Sequence, residues 1–154
     1  MSAESNFDYT IEVEIRASSA DVWGALAHDS DEWWPKDARM VDPNATVTLD
    51  PRAGGGLIEN LDGTGSLLWY TVQMCTVGES LDLAGDLGAN WGGPARSLVS
   101  IRLETNGDST KVVFQDALIG NVADKTVQIL KEGWTSILAD GLKRWIEEAD
   151  APTG

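Results

Sequence analysis

The chain has 154 residues, 42% of them hydrophobic and 23% charged, which suits one globular domain whose core needs neither metal nor disulfide. With 25 acidic against 11 basic residues it carries a net charge of −14, a surface that repels nucleic-acid phosphates and anionic lipid head groups. The lone Cys75 excludes an internal disulfide, which fits a reducing compartment, and no stretch approaches the ~20 apolar residues of a membrane span.

Residues 1–6 have neither the basic start nor the apolar run of a signal peptide, so a cytoplasmic location is expected. They and residues 150–154 read as disordered tails of a single domain over residues 7–149. From Tyr9 to Arg16 apolar and polar residues alternate, with Tyr9, Ile11, Val13 and Ile15 on one face of a strand. Ser18 and Asp21 have capping-box spacing and open a helix that carries Val22, Trp23 and Leu26. A second short helix over Asp29–Trp34 stops at Pro35, because the residue before a proline avoids helical geometry.

Six strands follow. Val47 and Leu49 share a face of the first; Asp50 to Gly56 turns the chain, and Leu57 to Leu61 returns. Asp62-Gly63 signals a hairpin into a strand over Ser66–Val77, and Gly78-Glu79 turns into Ser80–Leu87. A glycine-rich loop, Gly88 to Pro94, holds Trp91. Val99, Ile101 and Leu103 then alternate with polar residues, and Asn106-Gly107 leads into a last strand over Thr110–Leu118. From about Asp124 to Glu148 apolar residues recur at three- and four-residue intervals, namely Leu130, Trp134, Ile137, Leu138, Gly141 and Trp145. At 1.5 Å per residue this helix is roughly 35 Å long, and the sheet is the one surface broad enough to receive its apolar stripe. The order predicts an α+β fold of about seven antiparallel strands curved around a long C-terminal helix.

That order, with several local motifs, resembles the START-like (SRPBCC) superfamily and its helix-grip fold. The motifs are Asp21-Val22-Trp23-Gly24-Ala25-Leu26, Glu32-Trp33-Trp34-Pro35, Leu49 to Gly55 at the first sheet turn, and Gly133-Trp134 with Leu138 and Leu142. Within the superfamily the chain looks most similar to the branch named for activators of the ninety-kilodalton heat-shock chaperone's ATPase. The resemblance spans residues 8–148 and implies a cavity between the last helix and the sheet. It does not fix a function, because this scaffold hosts hydrophobic-ligand carriers, cyclases and chaperone-associated domains.

A nucleophile–base pair needs a histidine, and His28 is the only one; its position suits a helix end. One Cys and one His are too few for zinc, and Cys75 reads as a buried, inert thiol. Gly54-Gly55-Gly56 joins two strands with no Lys-Ser or Lys-Thr after it, so it is not a phosphate loop. Calcium-loop spacing is absent. No catalytic residue, metal or cofactor is assigned.

Seven tryptophans are many for this length. Trp23, Trp33 and Trp145 fall where the superfamily packs large side chains, and are assigned to the core. Trp69, Trp91 and Trp134 suit either core or cavity wall. Asp116 shares a strand face with Val112, Phe114 and Leu118. A carboxylate there must be paired (Arg96 and Arg102 are the candidates), face a wet cavity, or escape to solvent at a strand end. The predicted cavity lining is Trp34, Trp69, Trp91, Arg96, Phe114, Asp116, Leu130, Trp134, Ile137 and Leu138. The leading functional expectation is binding of a small apolar or aromatic molecule by a monomer or homodimer. The alternatives are a cyclase or hydratase using Asp116 with His28 or Arg96, and a co-chaperone-like protein-interaction domain.

Overall fold

Strand β1 (Ser5–Ile15) begins at Ser5 rather than Tyr9: Ser5 and Asn6, read as tail, pair with Gly120 and Ile119 of the last strand. The computed structural model describes residues 5–149, and the other tail positions lie outside them. Helix α1 (Ser19–His28) is capped as its sequence predicts, with the Asp21 amide donating to the Ser18 hydroxyl at 3.1 Å. A short α2 (Ser30–Trp33) follows. The sheet continues with β2 (Thr46–Leu49), β3 (Gly56–Leu61), β4 (Gly65–Thr76), β5 (Ser80–Leu87), β6 (Ala95–Asn106) and β7 (Ser109–Gly120). All neighbours are antiparallel, in the order β1-β7-β6-β5-β4-β3-β2. The curved seven-stranded sheet with a long C-terminal helix is the helix-grip arrangement expected from the element order.

Two irregularities shape the interior. Leu57 pairs with Tyr70 but Ile58 pairs with Leu68, so Trp69 is an extra residue bulged out of β4. A bulge breaks the strict alternation of faces, and here Trp69 and Tyr70 both lean toward the interior. The second irregularity is in the last helix. It runs as α3 (Asp124–Ser136), a π-helical segment Ile137–Lys143, and α4 (Arg144–Ala149). A π segment admits an extra residue per turn and rotates everything after it. Ile146 therefore takes the buried position that a regular α-helix would give Trp145, which is only half-buried at the core's margin.

Gly141 sits in the π segment where the helix comes closest to the chain after α2. A Cβ there would lie 2.7 Å from the Trp33 carbonyl oxygen and 3.0 Å from the Pro35 ring. Because the nearest obstacle is backbone, Gly141→Ala is expected to lower unfolding free energy by roughly 1–3 kcal/mol, despite alanine's better helix propensity. Urea denaturation measures this, and an unchanged or raised stability would contradict the close approach.

Candidate functional site

Between α3 and the β4–β5 half of the sheet lies a half-open groove of about 530 Å³. That is within the range of small-molecule sites. Trp69 and Tyr70 from β4, Gly85 and Leu87 from β5, and Leu130, Trp134 and Ile137 from the helix form its walls. Ser97 of β6 contributes at the base, beside the Tyr70 hydroxyl. Met40, Leu68, Trp91 and Ile129 rim the opening, all large, apolar and substantially exposed, Trp91 at 41%. Apolar side chains left exposed around a concavity mark a surface that meets something other than water.

Local chemistry explains each wall. The bulge at Trp69 sets two successive aromatics against Trp134, at centroid distances of 6.2 Å for Trp69 and 5.8 Å for Tyr70. Gly85 makes room for the Tyr70 ring; a Cβ would fall 2.8 Å from its Cδ1. Gly92, at φ +91°, packs on Thr126 in the first turn of α3, which fixes the loop holding Trp91 over one end of the groove. Glu59 is wholly buried; it accepts from the Met40 amide at 2.8 Å and the Trp69 indole at 3.1 Å, with the Val41 and Asp42 amides as further donors. One carboxylate thus holds both the Met40 side of the rim and the Trp69 wall.

Asp116 is also fully buried, among β1, β6 and β7, and it has no cationic partner among the described residues. The Tyr9 hydroxyl donates to its Oδ2 at 2.7 Å and the Ser97 hydroxyl to its Oδ1 at 2.7 Å. Ser97 Oγ stands 2.8 Å from Tyr70 Oη. The carboxylate is therefore joined to the groove through the Ser97 hydroxyl, which also meets that of Tyr70. Burial pushes the Asp116 carboxyl above its ordinary value, and the hydrogen bonds from Ser97 and Tyr9 pull the other way. Burial also raises both Tyr9 and Tyr70, with the negative charge of Asp116 adding to each.

Of the predicted lining, Trp69, Trp91, Leu130, Trp134 and Ile137 border the groove. Trp34, Phe114 and Leu138 are buried behind it: Trp34 packs edge-on to Trp69 and Trp134, and Phe114 lies 4.7 Å from Trp134. Asp116 lies one hydroxyl back from the wall, and it does not reach solvent at a strand end, because β1 covers β7 along its length. Arg96 is not its partner. The neighbouring Ser97 points inward, so Arg96 points outward, where it pairs with Asp86 at 3.3 Å. Arg102 is likewise exposed. His28 is exposed at the end of α1 and makes no hydrogen bond to this network, and Cys75 is half-buried rather than buried. Sequence reasoning missed Glu59, Tyr70 and Ser97. Glu59 was legible by the parity that singled out Asp116, since it shares a face with Leu57; Tyr70 and Ser97 likewise sit at inward positions beside Val72 and Val99.

No group of three or more His, Cys, Asp or Glu among the described residues could hold a metal ion, and no described helix is long and apolar enough to cross a membrane. No protein-family model matches the sequence, and no curated protein matches it closely enough to count. Solved structures do. Mll3558 from Rhizobium loti shares 18% identity over 89% of this chain and 95% of that one, with a TM-score of 0.66. Ara h 8.0201 shares 13% over 94% and 99%, at 0.69. The Aha1 dimer of Colwellia psychrerythraea shares 20% over 94% and 99%, at 0.61. At these identities the likeness shows the helix-grip fold alone.

The buried carboxyl makes stability depend on pH in a defined direction. Its folded pKa is raised above the ordinary 3.8, so the native state holds more protons once pH exceeds that value. The contribution is complete below about pH 4 and is lost as pH rises through the folded value. Asp116→Asn cannot titrate, so wild-type stability relative to this variant should fall with rising pH. Urea midpoints of both proteins across a pH series check this; parallel curves, or a difference growing with pH, would contradict it.

Proposed function

We propose that this protein binds a small, uncharged, largely apolar molecule with an aromatic or fused-ring body in the groove between α3 and the sheet. One observation carries the reading: a 530 Å³ groove walled by indole, phenol and aliphatic side chains, with Tyr70 and Ser97 supplying polar atoms at its base. Flat aromatic walls favour ring-shaped ligands by edge and face contacts. The net charge of −14, with Asp37 on the rim, disfavours anionic ligands. The solved structures of the same fold are compatible with this reading and do not choose the ligand.

The cyclase or hydratase alternative has one observation in its favour, the row of titratable groups from Tyr9 through Asp116 to Tyr70. Against it, Asp116 touches the groove only through Ser97, and Tyr70, its pKa raised by burial, is poorly placed to move protons near neutral pH. These two facts favour binding over catalysis.

Gly133 offers a clean test, because it borders the groove and a Cβ there meets nothing within 4 Å. Gly133→Phe fills the groove without crowding the core, and it replaces a poor helix former. The uncharged dye N-phenyl-1-naphthylamine should brighten and quench tryptophan emission on binding the wild type. Its affinity should drop by at least about tenfold in Gly133→Phe while the melting temperature holds. Equal binding by both proteins would remove the groove as the site.

A further inference from the structure

The hydroxyl row at the base of the groove has a direction, and that direction specifies what a ligand must offer. Ionised Asp116 has only acceptor oxygens, so Tyr9 donates to one and Ser97 to the other. A serine hydroxyl has a single proton, and that of Ser97 is committed to Asp116 Oδ1. The contact between Ser97 Oγ and Tyr70 Oη, 2.8 Å long, must then use the proton of Tyr70. Tyr70 has no second proton. Its oxygen can only accept from whatever enters the groove.

Resting on the ligand-binding reading, we propose that the row Tyr70–Ser97–Asp116 makes the groove selective for ligands that donate a hydrogen bond, namely ring compounds bearing a hydroxyl or an N–H. Molecules of the same shape that offer only an acceptor oxygen, such as ethers and ketones, meet lone pair against lone pair.

The groove's other features sharpen this selectivity. Tyr70 is 6% exposed and Ser97 1%, so a mismatched ligand oxygen at the base leaves no room for water to intervene. Glu59, the other buried carboxylate, is engaged by backbone amides and the Trp69 indole and plays no part in the row.

The test compares 2-naphthol with its methyl ether, 2-methoxynaphthalene, by isothermal titration calorimetry at pH 8. The two differ by a donor proton, and apolar burial alone favours the ether. The wild type should bind the naphthol about tenfold tighter, the factor one well-made hydrogen bond supplies. Ser97→Ala breaks the row and frees the Tyr70 proton, so the preference should collapse toward parity while both probes still bind. Asp116→Asn, whose amide can donate to Ser97, should weaken the preference as well. If both probes bind the wild type equally, or Ser97→Ala keeps the full preference, the inference is overturned and the binding site stands. If neither probe binds the wild type, the ligand-binding reading falls and takes this inference with it.

Discussion

The last helix touches the sheet unevenly, and the groove exists because of it. Over the thirteen residues of α3 a single side chain, Trp134, is buried. In the following π segment and α4, Ile137, Leu138, Gly141, Leu142 and Ile146 all are. The helix is therefore drawn tight at its C-terminal end, where Gly141 lets it approach the Trp33 carbonyl, and held off the sheet at its N-terminal end. Trp134 is the prop between the two regimes. Its indole meets Trp34, Trp69, Tyr70 and Phe114 with centroids 4.7–6.2 Å away, so the space beneath α3 cannot collapse without displacing a whole aromatic cluster. The π segment matters for the same reason. By rotating α4 it lets the tight end bury Ile146 while Trp134 stays aimed at the sheet.

Two carboxylates sit inside this apolar body, and neither pairs with a cation among the described residues. Burying a charge without a counter-charge is expensive unless hydrogen bonds replace the lost water. Glu59 is solvated by main-chain amides and an indole, and in return fixes the rim near Met40. Asp116 is solvated by hydroxyls, which can pass its polarity along. The two therefore do different work. One shapes the wall; the other gives the base of the groove a hydrogen-bonding sense. A neutral Asn at 116 would fill the same volume but would leave the orientation of Ser97 undecided.

Much of this fold was legible because its signals are local. Alternation located the strands, glycine turns located most of their junctions, and the periodicity of Trp134, Leu138 and Gly141 located the helix. Asp116 stood out because parity placed a charge among Val112, Phe114 and Leu118. What failed was whatever depended on a count shifting by one. A bulge turns Trp69 inward beside Tyr70, and a π turn substitutes Ile146 for Trp145; neither leaves a pattern in a single sequence. The partner of Asp116 failed for another reason. A charge suggests a charge in return, but the residues facing it across the ladder are Tyr9 and Val99, with Ser97 two positions further along β6, and only the register reveals them. Trp34, Phe114 and Leu138 were placed on the wall because an apolar face says nothing of how deep each residue lies.

The claim on which the rest turns is that the space under α3 receives a ring-shaped molecule, and the seven indole N–H groups report on it directly. In a two-dimensional nitrogen–proton spectrum of uniformly labelled protein, titrated with 2-naphthol, the signals of Trp69, Trp91 and Trp134 should shift together and saturate. Those of Trp23 and Trp145, which do not border the groove, should stay in place. Seven stationary signals at saturating probe, or shifts confined to Trp23 and Trp145, would contradict a binding site beneath this helix.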